Sequence, residues 1–355
     1  MTPLKKPYLV IPFLVEQPTW GGEYICEMKG WLHKPGLEGK KIGQSYELYS
    51  KSLLATTITS TDDPLFGPHT DTTLPISTFS EVRPFPLIKF TQAKGNSFQL
   101  HVKPEQNEPY WQPKAESWYY FEGGKITFGL KKGADISKYK ETCIAINNEM
   151  KKLSDKVVGK LITREQAEQE AKKCIAEKNP WQFVNVYQVK KGDVVDLSGG
   201  GLHHSWEEDS TNYPLGNIVY EVQQDVMDPV STLRSFDQGK IKEDGTIREI
   251  QIEKYFESLD CDEKRNKLVA QKNENGVLFD TPYYSLSLLG LSENKKMESS
   301  TSFHHLFTQT GKIMVKDTIG NEVVVGTGHS CFIPQGVQYE ILPQEPSEVL
   351  LTFLR

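Results

Sequence analysis

Two stretches of the chain follow one template, and this repetition constrains the fold more than any other feature. The template is Gly, five residues, Pro or Ser, one residue, Gly, two residues and a final position. The first copy is Gly192-Asp-Val-Val-Asp-Leu-Ser198-Gly-Gly200-Gly-Leu-His203, and the second is Gly328-His-Ser-Cys-Phe-Ile-Pro334-Gln-Gly336-Val-Gln-Tyr339. In each copy a strand-like run follows a turn and ends at a glycine bend. Because His binds divalent metals well and Tyr binds them poorly, the pair predicts a duplicated β-barrel with a metal in the first copy alone.

Composition limits the functions that such a chain can have. Its 355 residues suffice for two domains or one large domain. Its net charge of −6 disfavours a general nucleic-acid binder but is compatible with a local basic pocket for a small anion. Five cysteines without a C-x-x-C pair argue against a disulfide framework or a cysteine-type zinc site and suit a reducing compartment. With no signal peptide and no apolar stretch of about 20 residues, we expect a cytoplasmic protein without a membrane partner.

Most of the remaining sequence predicts short β-strands. The candidate segments are rich in β-branched and aromatic residues, and Gly, Asn, Pro or Lys clusters separate them. They are residues 85–90, 97–102, 117–121, 125–130, 184–189, 218–223, 247–252, 283–289, 312–315, 322–325 and 349–353. Many short strands at regular spacing predict a mainly-β fold of antiparallel sandwich or barrel type.

Residues 135–180 interrupt this pattern with helical signals. Thr163-Arg-Glu-Gln166 is a capping box, and Ala167, Ala171 and Ile175 follow it at helical spacing. We interpret the segment as a helical insertion between two strands of the first barrel. The predicted domains are therefore residues 1–255, with this insertion, and residues 256–355, which contain the second template copy and no metal site.

Polar residues alternate along one predicted strand. Ser97, Gln99 and His101 share a face because side chains i and i+2 of a strand point the same way. Taken alone, this could simply be the solvent-facing side of the strand. Glu116 opens the next strand and could likewise be a surface residue. Together with His203, however, these residues offer two imidazoles, a carboxylate and an amide oxygen, which suit Zn²⁺ and leave room for water or a substrate oxygen.

Seven short motifs follow one another along the chain. They are Pro18-Thr-Trp20-Gly21-Gly22, Ile42-Gly-Gln-Ser-Tyr-Glu47, Pro86-Leu-Ile-Lys89-Phe, Ser97-Phe-Gln99-Leu-His101, Lys114-Ala-Glu116-Ser-Trp-Tyr, Gly200-Gly-Leu-His203, and Glu221-Val-Gln-Gln224 followed by Ser231-Thr-Leu-Arg234-Ser-Phe-Asp237. Each motif is weak alone. In this order they make most of the chain resemble the type I mannose-6-phosphate isomerases (phosphomannose isomerases), zinc-dependent members of the cupin superfamily. The resemblance implies two cupin-type β-barrels (jelly rolls), with the helical insertion in the first.

The resemblance also implies roles for matched positions. It assigns one Zn²⁺ per chain to Gln99, His101, Glu116 and His203. It implies catalytic roles for Arg234, Glu221 and Lys114, and substrate-binding roles for Ser97, Lys89 and Lys240. Each role has an ordinary alternative: Lys114 and Lys240 could be surface lysines, Glu221 a structural carboxylate, and Arg234 the partner of Asp237 in closing a loop.

The implied activity interconverts mannose 6-phosphate and fructose 6-phosphate through an enediol. Moving a proton between adjacent carbons needs a base, a shuttle for the hydroxyl proton and stabilisation of a negative oxygen. A Zn²⁺ ion can polarise the sugar oxygens as a Lewis acid, and cationic side chains can hold the phosphate. Glu221 and Lys114 are the candidates for proton transfer. The expected partner is a small sugar phosphate, and the expected protein is a monomer or a homodimer.

Departures from the family pattern keep other functions open. The strand histidine is followed by Val102-Lys103-Pro104 where the family has Pro directly, and Ser198 replaces a usual Pro. Such divergence is compatible with an isomerase for a different sugar phosphate, or with a non-catalytic sugar-phosphate-binding cupin that keeps its metal for structure. An iron oxygenase is disfavoured, because a glutamine ligand is unlike the 2-His-1-carboxylate triad.

Overall fold

The chain folds mainly into β-strands. The computed structural model describes residues 4–18, 20–79, 84–95, 97–103, 109–197, 201–205, 211–263, 268 and 276–354. The strands up to residue 236 are β1 (Tyr8–Ile11), β2 (Phe13–Glu16), β3 (Ile42–Leu48), β4 (Leu53–Ala55), β5 (Thr73–Pro75), β6 (Pro86–Ala93), β7 (Phe98–His101), β8 (Glu116–Tyr120), β9 (Gly124–Leu130), β10 (Val184–Val189), β11 (Val194–Asp196), β12 (His203–Ser205), β13 (Asn217–Gln224) and β14 (Thr232–Phe236).

The later strands and the helices complete the set of elements. The strands are β15 (Val277–Asp280), β16 (Ser285–Leu291), β17 (Lys295–Glu298), β18 (His304–Thr310), β19 (Lys312–Asp317), β20 (Glu322–Gly326), β21 (Ser330–Ile333), β22 (Gln338–Pro343) and β23 (Ser347–Phe353). The helices are α1 (Tyr24–Met28), α2 (Ile136–Val158), α3 (Arg164–Lys178), α4 (Asp228–Ser231) and α5 (Ile252–Ser258), with 3₁₀ turns at Ile76–Thr78 and Pro180–Phe183. None of the helices in the described part of the chain is long and apolar enough to cross a membrane.

The strands form four antiparallel sheets. One pair consists of a five-stranded sheet, in the order β10-β9-β12-β7-β14, and a six-stranded sheet, in the order β11-β8-β13-β6-β3-β2. The other pair consists of an eight-stranded sheet, β15-β16-β23-β18-β21-β1-β4-β5, and a four-stranded sheet, β17-β22-β19-β20. Apolar residues from both sheets of the first pair, including Trp118, Phe128 and Val195, form one core cluster between them. The predicted mainly-β fold class is confirmed.

The two template copies occupy equivalent places in the two sheet pairs. The first copy leads from β11 in the six-stranded sheet to β12 in the five-stranded sheet, and the second leads from β21 to β22 in the same way. The opening glycines, Gly192 and Gly328, both have the left-handed backbone that glycine favours, with φ of 85° and 80°. Ser198, Gly199 and Gly200 lie outside the described residues. The strand orders β11-β8-β13-β6 and β21-β18-β23-β16 correspond, as do β10-β9-β12-β7 and β20-β19-β22-β17.

The helical insertion lies between β9 and β10, where the second half has only the short turn between β19 and β20. The Asp135 side chain caps α2 by accepting from the Lys138 backbone, and the predicted capping box opens α3 at Thr163. Buried residues of both helices pack against Phe98 and Leu100 of β7. The insertion therefore covers the outer face of the strand that carries Gln99 and His101.

Two features of the fold depart from local sequence signals. The strand predicted at residues 247–252 is wrong, since the segment pairs with no strand and α5 begins at Ile252. The first strand does not join the first sheet pair: β1 pairs with β21, with Tyr8 opposite Phe332, and with β4. The boundary at residue 255 remains a prediction, but the N-terminal segment contributes strands to both sheet pairs.

Candidate metal centre and its cavity

Strand β7 presents its polar face to the interior of the first sheet pair. Phe98 and Leu100 are fully buried against the helical insertion, which turns Gln99 and His101 inward. His101 has no exposed surface, and Ser97, just before the strand, is 2% exposed. The solvent-facing alternative for this strand is therefore wrong. The predicted Glu116 opens β8 and is also buried, 2% exposed, so it is not a surface carboxylate.

Three of the four predicted metal ligands converge in this interior. One ligand atom each from His101, Glu116 and His203 lies within 4.8 Å of the others. The His101 Nε2 atom is 2.9 Å from Glu116 Oε2. His203, the last residue of the first template copy, lies directly opposite Gln99 in the sheet, and its Nε2 atom is 3.1 Å from the Gln99 side-chain amide. The Gln99 amide thus lies beside the cluster of the other three predicted ligands.

Backbone carbonyls orient both imidazoles. His203 Nδ1 donates to the Gly201 carbonyl at 3.0 Å, and His101 Nδ1 lies 3.3 Å from the Ser231 carbonyl. Since a carbonyl can only accept, Nδ1 of His203 carries the proton and its Nε2 keeps a lone pair towards the centre. His101 has an acceptor beside each ring nitrogen, the Ser231 carbonyl at Nδ1 and the Glu116 carboxylate at Nε2. Burial lowers the pKa of both imidazoles, and the pKa of His203 falls to about 3. Both are therefore neutral at pH 7, the state that a metal ligand requires.

The carboxylate of Glu116 is held ionised beside them. Burial acts to raise its pKa, but the charge of Lys114 outweighs burial and holds the pKa well below the usual range. Lys114 Nζ is 2.8 Å from Oε2, and Trp118 Nε1 donates to Oε1 at 2.8 Å. Two neutral imidazoles, one carboxylate and one amide make a donor set that fits Zn²⁺.

The equivalent positions of the second half carry different chemistry. Strand register matches Gln99 to Met297, since His203 lies opposite the first and Tyr339 opposite the second. The same register matches Glu116 to His304, which lies opposite Ile333. His304 Nδ1 and the Tyr339 hydroxyl are 2.7 Å apart, so these two side chains satisfy each other. The repeat thus replaces the metal-ligand set of the first half with a hydrogen-bonded His–Tyr pair.

A cavity of about 420 Å³ opens above the centre. Its volume is typical of a small-molecule site. Eight of the ten predicted site residues line it: Lys89, Ser97, Gln99, Lys114, Glu116, Glu221, Arg234 and Lys240. The other two, His101 and His203, contact the lining residues Glu116 and Gln99 from below. The structure therefore brings all ten predicted residues to one site.

Lys89, Lys114 and Glu221 are buried at this site, and Lys240 is half-buried. Lys114 and Lys89 are 4% and 7% exposed, so the surface-lysine alternative is wrong for Lys114. Lys89 Nζ is 3.0 Å from Glu221 Oε1 and 3.1 Å from Gln223 Oε1. Burial and the charge of Glu116 raise the pKa of Glu221 against the opposing effect of Lys89 and Lys114. Glu221 is thus a carboxyl whose pKa moves towards neutrality, as general bases require.

Arg234 pairs with a different carboxylate from the one suggested by sequence. Its NH2 atom is 3.1 Å from Asp228 Oδ2, while Asp237 contacts Ser97 and Arg248 instead. Asp228 also lies 3.7 Å from Lys114 Nζ. Lys240 donates to the Gly95 carbonyl at 3.2 Å. Arg234 and Lys114 are thus linked through a shared carboxylate at the cavity wall.

Sequence reasoning missed several residues of the cavity wall. Asp228, Lys242 and Arg248 lie outside the motifs, and Trp20, Tyr46 and Trp118 lie in motifs that gave them no role at the site. Arg248 falls in the segment wrongly predicted as a strand, and Asp228 precedes β14 without any motif signal. With them, six cations and four carboxylates of the described residues line the cavity, an excess of two positive charges in a protein whose net charge is −6. The positive charge of the site is therefore not evident from the composition of the whole chain.

The fold and the donor set together define a double cupin-type β-structure with a buried His–Glu–His centre in one half. No protein-family model matches the chain, and no curated protein sequence is significantly similar to it. Solved structures of mannose 6-phosphate isomerases have the same fold over nearly the whole length. The enzyme from Bacillus subtilis is 17% identical, with a TM-score of 0.66 over 98% of this chain and 99% of that one.

Two further structures give the same result. A putative mannosephosphate isomerase from Archaeoglobus fulgidus is 15% identical, with a TM-score of 0.63 over 99% and 98% of the two chains. A zinc-bound mannose 6-phosphate isomerase is 14% identical, with a TM-score of 0.65 over 98% and 99%. The resemblance found in the sequence motifs is thus confirmed at the level of the fold.

Proposed function

We propose that this protein is a zinc-dependent aldose–ketose isomerase that interconverts mannose 6-phosphate and fructose 6-phosphate. The observation that carries the proposal is the pairing of two neutral buried imidazoles with an ionised carboxylate beneath a positively charged cavity. A purely structural metal would need neither the second carboxyl, Glu221, nor the cations around it. The fold shared with solved isomerases supports the same assignment.

Different residues of the chain would carry out different steps of the reaction. A zinc ion held by Gln99, His101, Glu116 and His203 would act as a Lewis acid towards the sugar oxygens. Glu221, whose pKa burial raises, is the candidate to take the proton from one carbon and return it to the next. Lys114 is the candidate to move the hydroxyl proton, because its Nζ lies between Glu116 and Asp228.

The charge of the cavity favours a phosphorylated substrate. A sugar phosphate carries close to two negative charges at pH 7, which matches the excess of two cations among the described lining residues. Lys240 and Arg234 supply donors for the phosphate oxygens, and Ser97 supplies a hydroxyl. The same charge distribution attracts anions to the cavity of an otherwise acidic protein.

A metal measurement combined with an activity assay tests this function. The purified protein should contain one zinc per chain and should form fructose 6-phosphate from mannose 6-phosphate in a coupled assay. His203→Ala should lose both zinc and activity. Tyr339→Phe is the matched control, since it changes the equivalent position of the second half and should retain both.

Other results would redirect the proposal. Activity in zinc-free protein would contradict the metal-dependent mechanism. Bound zinc with no turnover of any hexose phosphate would favour the non-catalytic binding protein. Turnover of another hexose phosphate, but not of mannose 6-phosphate, would keep the isomerase and correct its substrate.

A further inference from the structure

One carboxylate in the cavity wall lies beside two donors that suit a phosphate. Asp237 Oδ1 accepts a hydrogen bond from the Ser97 hydroxyl, and Asp237 Oδ2 lies 3.9 Å from Arg248 Nε. Arg248 NH1 donates to Ser97 Oγ at 3.4 Å, which closes a triangle of three side chains. All three residues line the cavity.

The backbone around Asp237 is fixed in an unusual conformation. Gln238 and Gly239 both adopt the left-handed region, with φ of 56° and 73°. A non-glycine residue stays there only when its surroundings hold it. Helix α3 packs closely on this turn, since a Cβ on Gly239 would lie 2.8 Å from Ile175 and 3.2 Å from Ala171, and 3.8 Å from Met150 of α2. This double turn directs Asp237 and Lys240 to the same cavity, so both are part of a built site.

A guanidinium and a hydroxyl are the donors that proteins use for phosphate oxygens. Asp237 now accepts a hydrogen bond from the Ser97 hydroxyl and forms a loose ion pair with the half-exposed Arg248 guanidinium. A phosphate placed on Ser97 would meet the negative charge of Asp237 at short range, and like charges repel most strongly where water is scarce. Asp237 and a phosphate therefore compete for Ser97 and Arg248.

We propose that Arg248 is a further phosphate-binding residue, and that Asp237 is a built-in competitor which faces Arg248 and accepts from Ser97 until a phosphate displaces it. The inference rests on the proposed function, because it concerns the phosphate end of the same substrate. It makes Asp237 a specificity-determining residue. A neutral sugar offers no charge to replace the carboxylate at Arg248, whereas a phosphate dianion does.

Binding of inorganic phosphate to the zinc-loaded protein, measured by isothermal titration calorimetry, tests this inference without using activity. Arg248→Gln should weaken phosphate binding about tenfold, the loss expected for one charge-assisted hydrogen bond. Asp237→Asn removes the competing charge with little change in size, and it should tighten phosphate binding about threefold or more. Asp244→Asn is the matched control in the same segment: Asp244 contacts Thr246 outside the cavity, and phosphate binding should stay unchanged.

The possible outcomes distinguish a failure of this inference from a failure of the proposed function. If wild-type protein binds phosphate but Arg248→Gln binds it equally well, Arg248 has no part in the subsite and the inference fails. If Asp237→Asn binds phosphate more weakly or unchanged, Asp237 is a support for Ser97 and Arg248 and not a competitor. If wild-type protein binds neither inorganic phosphate nor any sugar phosphate, the proposed function fails at its substrate class, and this inference falls with it.

Discussion

At the residue scale, the candidate centre depends on what burial does to neighbouring side chains. Burial keeps His101 and His203 neutral, while Lys114 keeps Glu116 ionised in the same interior. The sequence predicts which residues of β7 share a face, since that follows from a period of two. It does not predict which face is buried, because the helices that cover Phe98 and Leu100 begin some 35 residues later. The direction of the polar face is a tertiary property.

Replacing Lys114 by Met separates a catalytic from a structural role. Methionine keeps a long apolar side chain but removes the charge and the donor. We expect Lys114→Met to retain zinc, because it removes a cation beside the metal, and to lower kcat about 100-fold or more. Zinc content and steady-state kinetics check this, with Lys138→Met on the exposed surface of α2 as the control. Loss of zinc in Lys114→Met would instead make Lys114 a support of the metal centre.

At the element scale, the segment between β14 and α5 shows where a local sequence pattern predicts the wrong secondary structure. Residues 247–252 form a short run with three isoleucines, and such β-branched residues suggest a strand. Yet Ile247 and Ile250 pack against the helical insertion, and no neighbouring strand offers them a partner. The insertion thus supports the segment that carries Asp237, Lys240 and Arg248. Sequence predicts the helices from their caps but cannot show which segment they support.

A glycine substitution measures the strength of this support. Gly239→Ala should destabilise the protein by about 2 kcal/mol or more, from the left-handed backbone and the contact with Ile175. Gly133→Ala is the matched control, since its φ of 72° nearly equals the 73° of Gly239 and its Cβ would meet nothing within 4 Å. Urea unfolding should show a loss of only about 1 kcal/mol for the control. Equal losses in the two variants would mean that α3 does not constrain the segment.

At the scale of the whole molecule, the two sheet pairs are joined by contacts that no sequence pattern reveals. Lys29 Nζ is 2.7 Å from Glu47 Oε1, both side chains are fully buried, and Glu47 Oε2 accepts from Ser330 in β21 at 2.7 Å. The repeat predicts that there are two halves. It does not predict that β1 crosses to the second one, because the partners are separated by about 320 residues in sequence. Such non-local pairing leaves no trace in composition or periodicity.

Histidines at this junction make the stability of the whole molecule depend on pH. His329 Nε2 donates to the Lys29 carbonyl at 3.1 Å, and the ring lies against Trp31 and Phe66. Burial, with smaller effects from the charges of Lys29 and Lys34, lowers the pKa of His329 well below its usual range. Burial likewise lowers the pKa of His305, also at the junction, to about 3, and that of His304, inside the second half, to about 4. These imidazoles are neutral in the folded protein at pH values where the unfolded chain binds protons.

The sign of the pH effect follows from this difference. Below the unfolded-state pKa of about 6.5, the unfolded chain takes up protons that the folded protein does not, so stability falls as pH falls. We expect the free energy of unfolding of metal-free protein, measured with urea, to drop between pH 7.5 and pH 5. His329→Gln keeps an amide donor for the Lys29 carbonyl but cannot be protonated, so it should reduce the drop by about 2 kcal/mol. His69→Gln, at an exposed position, is the control and should leave the drop unchanged. If the free energy of unfolding drops as much in His329→Gln as in the wild type, groups other than His329 cause the loss of stability in acid.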